Sequence, residues 1–221
     1  MNQTPFTGAG EPLAFSAAAL LDRIDKKVLF RSRWKMGHGG ESMLNELLGD
    51  ERIMAAFRPE AVYGYFPAVR RDDALILNGS VRWTFPRLKG VRLSDHIKTE
   101  EEGGDLIALS AVTVGSAAVD LSKDLYERFD YAEYFLMYGL AAEMTEALAD
   151  EVHERVERDL GISGTLRRSF GYPACPDLAC QKDLLDCLRA ERIGISLSAS
   201  YQLIPEFSTT AMIFLHPDKK A

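Results

Sequence analysis

Apolar positions along this chain fall into two rhythms, one close to four residues and one close to two. The longest run of the first kind lies late in the chain. Leu140, Met144, Leu148, Val152, Val156 and Leu160 return at every fourth residue. That spacing predicts one buried stripe on a helix that starts after Asp130 and ends at Leu160. Gly161 follows as its natural stop. A helix is also predicted over 118–129. An earlier one over 15–30 has Leu20, Leu21, Ile24 and Val28 on one side and Ser16 as its N-cap. Gly37-His38-Gly39-Gly40 breaks the chain, and a helical region over 41–57 follows, jointed near Gly49-Asp50. A last helix is predicted from Asp177 to about Arg189.

The second rhythm fills the middle and the end. Segments 62–66, 75–78 and 81–85 are short and rich in aromatic and branched residues, with Asp72-Asp73 and Asn78-Gly79 between them. Asn-Gly between two such runs is a strong hairpin signal. Residues 94–98 predict a short helix, 100–105 an acidic glycine-containing loop, and 106–114 a buried strand. Two further β-like runs, 194–203 and 209–215, are joined by the turn-like Pro205-Glu206-Phe207-Ser208. Residues 1–12 read as a loose leader. There is no internal repeat and no low-complexity tract. The pattern predicts a single α+β domain over 1–221, an antiparallel sheet with helices packed against it.

Composition narrows the class. A net charge of −7 over 221 residues argues against nucleic acid as the main partner, because phosphate binding needs clustered Lys and Arg. The first twelve residues carry no Lys or Arg and the apolar stretch 14–21 is short, so no secretory signal is predicted. No run approaches a membrane span. Three cysteines suit a reduced, cytoplasmic setting. Their spacing, Cys175-x4-Cys180-x6-Cys187, is not a zinc pattern, and no metal site is predicted.

Candidate chemistry gathers around 167–177, Arg-Arg-Ser-Phe-Gly-Tyr-Pro-Ala-Cys-Pro-Asp. Two prolines and a glycine brace this string between two helices, so it reads as an ordered loop of the kind that carries function. Cys175 could serve as a nucleophile if a base such as His38, His96, His153 or His216 lay beside it; otherwise it is a buried structural thiol. Glu143, Glu146 and Asp150 share one face of the long helix. They read as a solvated acidic face, as part of a carboxylate metal site, or as a receptor for an ammonium group. Arg167 and Arg168 read as surface charge or as a bidentate receptor for a carboxylate. An arginine and a helix carboxylate together would suit the zwitterionic end of an amino acid.

The string at 167–177 resembles the signature of the C-terminal activation domain of cobalamin-dependent methionine synthase. Other segments resemble that domain in the same order: Tyr65-Phe66-Pro67-Ala68 with Asp72-Asp73, Phe85-Pro86-Arg87, Leu93-Ser94-Asp95 and Ala111-Val112-Thr113-Val114-Gly115. Glu146-Ala147 with His153-Glu154-Arg155-Val156, Arg192-Ile193-Gly194 and His216-Pro217 continue the series. The likeness runs from about Tyr63 to the end, and more weakly from Val28.

The resemblance implies that family's fold, a twisted antiparallel sheet with helices packed on it. It implies a domain that binds S-adenosylmethionine and offers its methyl group to cobalamin held by a partner domain. There the inert cob(II) form is reduced by one electron from a flavodoxin-type donor and then remethylated. By the same resemblance Arg167 holds the methionine carboxylate and Glu146 lies near the amino group. Ser169 touches the ligand through its backbone, and Tyr172 approaches both ligand and corrin. The family's aspartate near the N-terminus falls at Lys26, with Asp25 one position away as the candidate. A tyrosine that the family carries after the His-Pro segment has no counterpart before Ala221. Each such lost charge-assisted hydrogen bond would weaken binding roughly tenfold to a hundredfold. No catalytic residue is assigned. The expected role is a free-standing reactivation component acting in trans on the cobalamin-binding domain of methionine synthase or a related corrinoid protein. The alternative is a module that binds a corrinoid protein but has lost S-adenosylmethionine.

Overall fold

The computed structural model describes residues 4–216; Pro217 and the Lys219-Lys220-Ala221 end lie outside the described residues. Two short strands open the chain, β1 (Gly8–Ala9) and β2 (Leu13–Ala14), followed by α1 (Ala17–Leu21) and α2 (Lys26–Val28), which continues into a π-helical turn at Leu29–Arg33. Next come α3 (Gly40–Leu48), α4 (Glu51–Ala56), β3 (Glu60–Arg71), β4 (Ala74–Leu77), β5 (Val81–Thr84) and a 3₁₀ turn at Leu93–His96. Then follow β6 (Asp105–Thr113), α5 (Ser116–Glu127), α6 (Tyr131–Leu160), β7 (Leu166–Ser169) and α7 (Cys180–Leu188). A short hairpin, β8 (Ser196–Leu197) with β9 (Leu203–Ile204), precedes β10 (Ser208–Phe214).

The main sheet runs β5-β4-β3-β6-β10-β7, antiparallel at every pairing, with β1 and β2 added along β3. Side chains alternate across the strands, so each face has its own core. One core joins Ala108, Val112 and Ile213 of the sheet to the α6 stripe; Leu140, Met144, Leu148, Val152, Val156 and Leu160 are all buried. The other joins Leu109, Met212 and Phe214 to Leu184, Leu185 and Leu188 of α7. The α+β class with helices against an antiparallel sheet is therefore as expected.

Four expectations need correction. The helix over 15–30 is interrupted at 22–25. Ser16 does cap α1, but Asp25 accepts hydrogen bonds from the backbone N–H of Lys27 and Val28 and starts a new helix. A side-chain oxygen competing for backbone donors is what breaks the run, and Arg23 in the break pairs with Glu151 and Glu154 of α6 at 3.3 and 2.8 Å. The described part of the leader is also not loose. Gly8 and Ala9 pair with Tyr65 and Gly64, and Phe6 packs on Tyr63 and Tyr65. The absence of a side chain at Gly64 allows this, because a Cβ there would collide with the Gly8 carbonyl. The run 194–203 is two short strands of a separate hairpin. Finally, 167–169 belongs to an edge strand of the main sheet, with Arg167 opposite Ile213 and Ser169 opposite Ala211.

Candidate functional site

The edge strand β7 lies beside α6, and this juxtaposition builds the site. Arg167 and Ile213 are cross-strand partners, and Ile213 belongs to the core under α6. Arg167 therefore projects on the α6 side, where its Nη2 lies 2.7 Å from Asp150 Oδ1 and 3.7 Å from Glu146 Oε2. Only 21% of the Arg167 side chain is exposed, whereas Glu146 and Asp150 are open to solvent. The predicted pair Arg167/Glu146 is thus brought together. The nearer partner is Asp150, one helical turn on.

Seven residues, or two turns, along the same face of α6 lies a second set of contacts. His153 Nε2 lies 2.6 Å from Thr165 Oγ1, and Thr165 donates its backbone N–H and its hydroxyl to Glu157 Oε1 at 3.0 and 2.8 Å. Burial, and then the positive charge of Arg167, lowers the His153 pKa from its ordinary 6.5, against the pull of Glu157, Asp150 and Glu154. Burial alone would raise Glu157, but the hydrogen bonds from Thr165 outweigh it and hold the carboxyl below its ordinary 4.5. Both shifts act in the same direction on stability. The unfolded chain protonates His153 first, so stability falls as pH drops below about 6.5. The charged form of Glu157 favours the fold, and that contribution is lost as pH falls below about 4.5. Urea midpoints measured across this range should decline on acidification, and His153→Gln should remove the upper part of the decline. An unchanged profile in that variant would contradict the assignment.

Ser169 closes β7, and beyond it Ser208, Thr209 and Thr210 of β10 have no strand on that side. A cavity of about 460 Å³ lies at this open edge, lined by Phe170, Gln181, Leu203, Glu206 and Thr209 among others. The chain then turns sharply. Cys175 N–H donates to the Tyr172 carbonyl and Gly171 N–H to the Cys175 carbonyl, both at 2.8 Å. Pro173 occupies the first corner of the turn, where its fixed φ fits. Gly171 has φ 84°, a backbone that other residues adopt only with strain. This brace presents Tyr172 at 62% exposure.

The other predicted residues separate from this group. Asp25 is occupied as a helix cap and shares no ion pair or hydrogen bond with Arg167 or Glu146 among the described residues. Glu143 is 4% exposed and pairs with Arg33 at 2.6 Å, so it is not part of a solvated face. Its burial follows from Gly139, where a Cβ would stand 2.6 Å from Trp34 Nε1. That close approach lays the Leu29–Arg33 turn across α6 and puts Arg33 over Glu143. No group of three or more His, Cys, Asp or Glu close enough to hold a metal occurs among the described residues. No helix among them is long and apolar enough to cross a membrane.

Cys175 is buried in the same apolar core as Phe170 and Leu184, and burial pushes its thiol up to about 12, with Cys180 and Asp177 adding to the shift. A thiol held protonated is a poor nucleophile. Iodoacetamide at pH 8 should leave Cys175 of the native protein unmodified while labelling it in urea. Rapid native labelling would restore the nucleophile reading.

Asp150 and His153 stand out in the sequence as candidate groups, but their places beside Arg167 and Thr165, and the parts of Thr165 and Glu157, come from the structure. The available signal was the 4-3-4 spacing of Glu146, Asp150, His153 and Glu157, which puts all four on one helix face.

Comparison with known proteins bears on the family and the fold. The profile described as "Vitamin B12 dependent methionine synthase, activation domain" matches residues 17–221. Methionine synthase from Mycobacterium leprae (strain TN) is 32% identical over 98% of this chain, and that from Mycobacterium tuberculosis (strain ATCC 25618 / H37Rv) is 29% identical over the same share. The chain spans 22% and 23% of their lengths. Among solved structures, the MetH reactivation domain bound to AdoHcy superposes with a TM-score of 0.85 at 22% identity, covering 100% of this chain and 82% of that one. Profile, relatives and fold agree, and the chain belongs to the family of vitamin B12-dependent methionine synthase activation domains.

Proposed function

We propose that this protein binds S-adenosylmethionine at the α6–β7 junction and presents its methyl group to cobalamin carried by a domain outside these 221 residues. The observation that carries the reading is the guanidinium of Arg167 set within 3.7 Å of the Glu146 carboxylate on the face that β7 and α6 share. A fork of donors beside an acceptor matches the two charges of an amino-acid end. In the free chain Asp150 engages Arg167. The ligand carboxylate joins or replaces it on a guanidinium that has five N–H groups to offer. Glu146 faces the ammonium. Ser169 contributes backbone groups, and the open edge of β10 beyond it gives the nucleoside a strand to lie along. Tyr172, exposed on its braced turn, meets the corrin. The partner's cobalamin would supply the methyl acceptor at cobalt, with the electron coming from a flavodoxin-type donor and S-adenosylhomocysteine left as the product of methyl transfer. The chain's own task is to bind, orient and approach.

The likeness to methionine synthases and to a reactivation domain bound to AdoHcy supports this reading. The test is reactivation in trans. A methionine synthase stripped of its own activation domain is inactivated to cob(II)alamin and given this protein, S-adenosylmethionine and a reductant. Return of methylcobalamin is expected. Its absence, with the reductant shown to be competent, would overturn the proposal. One observation favours the rival, a module that docks without the ligand: the carboxylate of Asp25 is engaged in capping its own helix. That reading requires no binding of S-adenosylmethionine at millimolar concentration.

A further inference from the structure

Arg167 stands on a short strand that reaches α6 through a return containing Gly161 and Gly164, both at positive φ, so the return itself is permissive. What holds the strand at its height on the helix is the second set of contacts. Thr165 immediately precedes β7, two residues before Arg167, and both side chains meet carboxylates of α6. Glu146 and Asp150 meet Arg167, and His153 and Glu157 meet Thr165. A carboxylate can only accept, so the Thr165 hydroxyl proton points to Glu157. Its oxygen then accepts from His153, which places the imidazole proton on Nε2. The chain of hydrogen bonds therefore has one direction, His153 to Thr165 to Glu157.

We propose that His153, Thr165 and Glu157 form a positioning relay for Arg167, fixing the distance between the guanidinium and Glu146 that an amino-acid end has to bridge. His153 is a positioning residue, acting on the ligand through Thr165 and the strand. The inference rests on the reading of Arg167 and Glu146 as the ligand grip. It goes further by assigning roles to three residues outside that grip. With its pKa lowered by burial and by Arg167, His153 adds no second cation beside the guanidinium at neutral pH.

Two readouts on the full chain test this. The first is the Arg167 Nε–Hε resonance of the ligand-free protein, with that of Arg33, paired to Glu143 on the same helix, as internal control. The second is S-adenosylmethionine affinity by calorimetry. His153→Ala and Thr165→Val should each move the Arg167 resonance and leave that of Arg33 in place. His153→Ala should weaken binding about three- to tenfold, the scale of one neutral hydrogen bond, and Thr165→Val, which also loses the bond to the Glu157 carboxylate, at least as much. His153→Gln, whose amide N–H can still donate to Thr165, should restore affinity to within about twofold of the parent, inside that same scale. An unmoved Arg167 resonance, a failed Gln rescue, or equal movement of the Arg33 resonance would overturn the relay. If the parent protein binds no S-adenosylmethionine, the functional reading fails by itself, and the resonances of the free protein still decide the relay.

Discussion

Replacing Arg167 with alanine should weaken S-adenosylmethionine binding by roughly tenfold to a hundredfold, the loss expected for charge-assisted hydrogen bonds to a carboxylate. The side chain leaves with its fork of donors, and Glu146 and Asp150 are left facing the ligand carboxylate with no cation between them. Repulsion adds to the lost attraction. Arg167→Lys should recover part of the affinity, because it keeps the charge but not the paired geometry. Stability should change little, because Asp150 is 59% exposed and solvated ion pairs contribute about 0–1 kcal/mol. Calorimetry and thermal melts on the three proteins separate binding from folding. An Arg167→Ala protein that binds as well as the parent would remove Arg167 from the site.

The largest stability effect is expected within one turn of Glu146, earlier on α6. Glu143 is buried, and its charge is met by Arg33 Nε at 2.6 Å. Removing one partner of a buried pair costs about 3–5 kcal/mol, because the remaining charge keeps its desolvation penalty without its attraction. Arg33 is itself 39% exposed, so water screens one side of the pair and a smaller loss, about 2–3 kcal/mol, is expected for Arg33→Ala. Adding Glu143→Leu should recover much of that loss, since an apolar pair of similar volume often replaces a buried ion pair without penalty. Urea unfolding of the two single variants and the double variant tests it. A double variant less stable than Arg33→Ala would show that Glu143 has a further role.

Local signals in the sequence were reliable where a single element made its own case. The four-residue stripe of α6, the Asn78-Gly79 hairpin and the Gly161 stop each express a physical need met within a few residues. The misreadings arose where distant partners decide. Asp25 breaks a good amphipathic run because its carboxylate finds two backbone donors, and Arg23 beside it finds α6. Gly8 and Ala9 look like leader until the missing side chain of Gly64 admits them to the sheet. Leu166–Ser169 reads as loop because an edge strand with charged residues lacks the apolar alternation of a central one. Glu143 counts as solvated on a helical wheel, and only the approach of Trp34 over Gly139 buries it.

The candidate site followed the same division. Glu146 and Arg167 were legible as types of group, a carboxylate on a helix and a guanidinium on a braced segment. Their meeting depends on β7 pairing with β10 in one register. Asp150, His153, Thr165 and Glu157 add to the site through that register, which no local pattern encodes.

A structure of this protein with S-adenosylhomocysteine tests the central assignment most directly. The amino-acid carboxylate is expected on the Arg167 guanidinium, the ammonium against Glu146, and the nucleoside running past Ser169 toward the open edge of β10. A ligand bound with Arg167 still closed on Asp150 and no contact to Glu146 would contradict it.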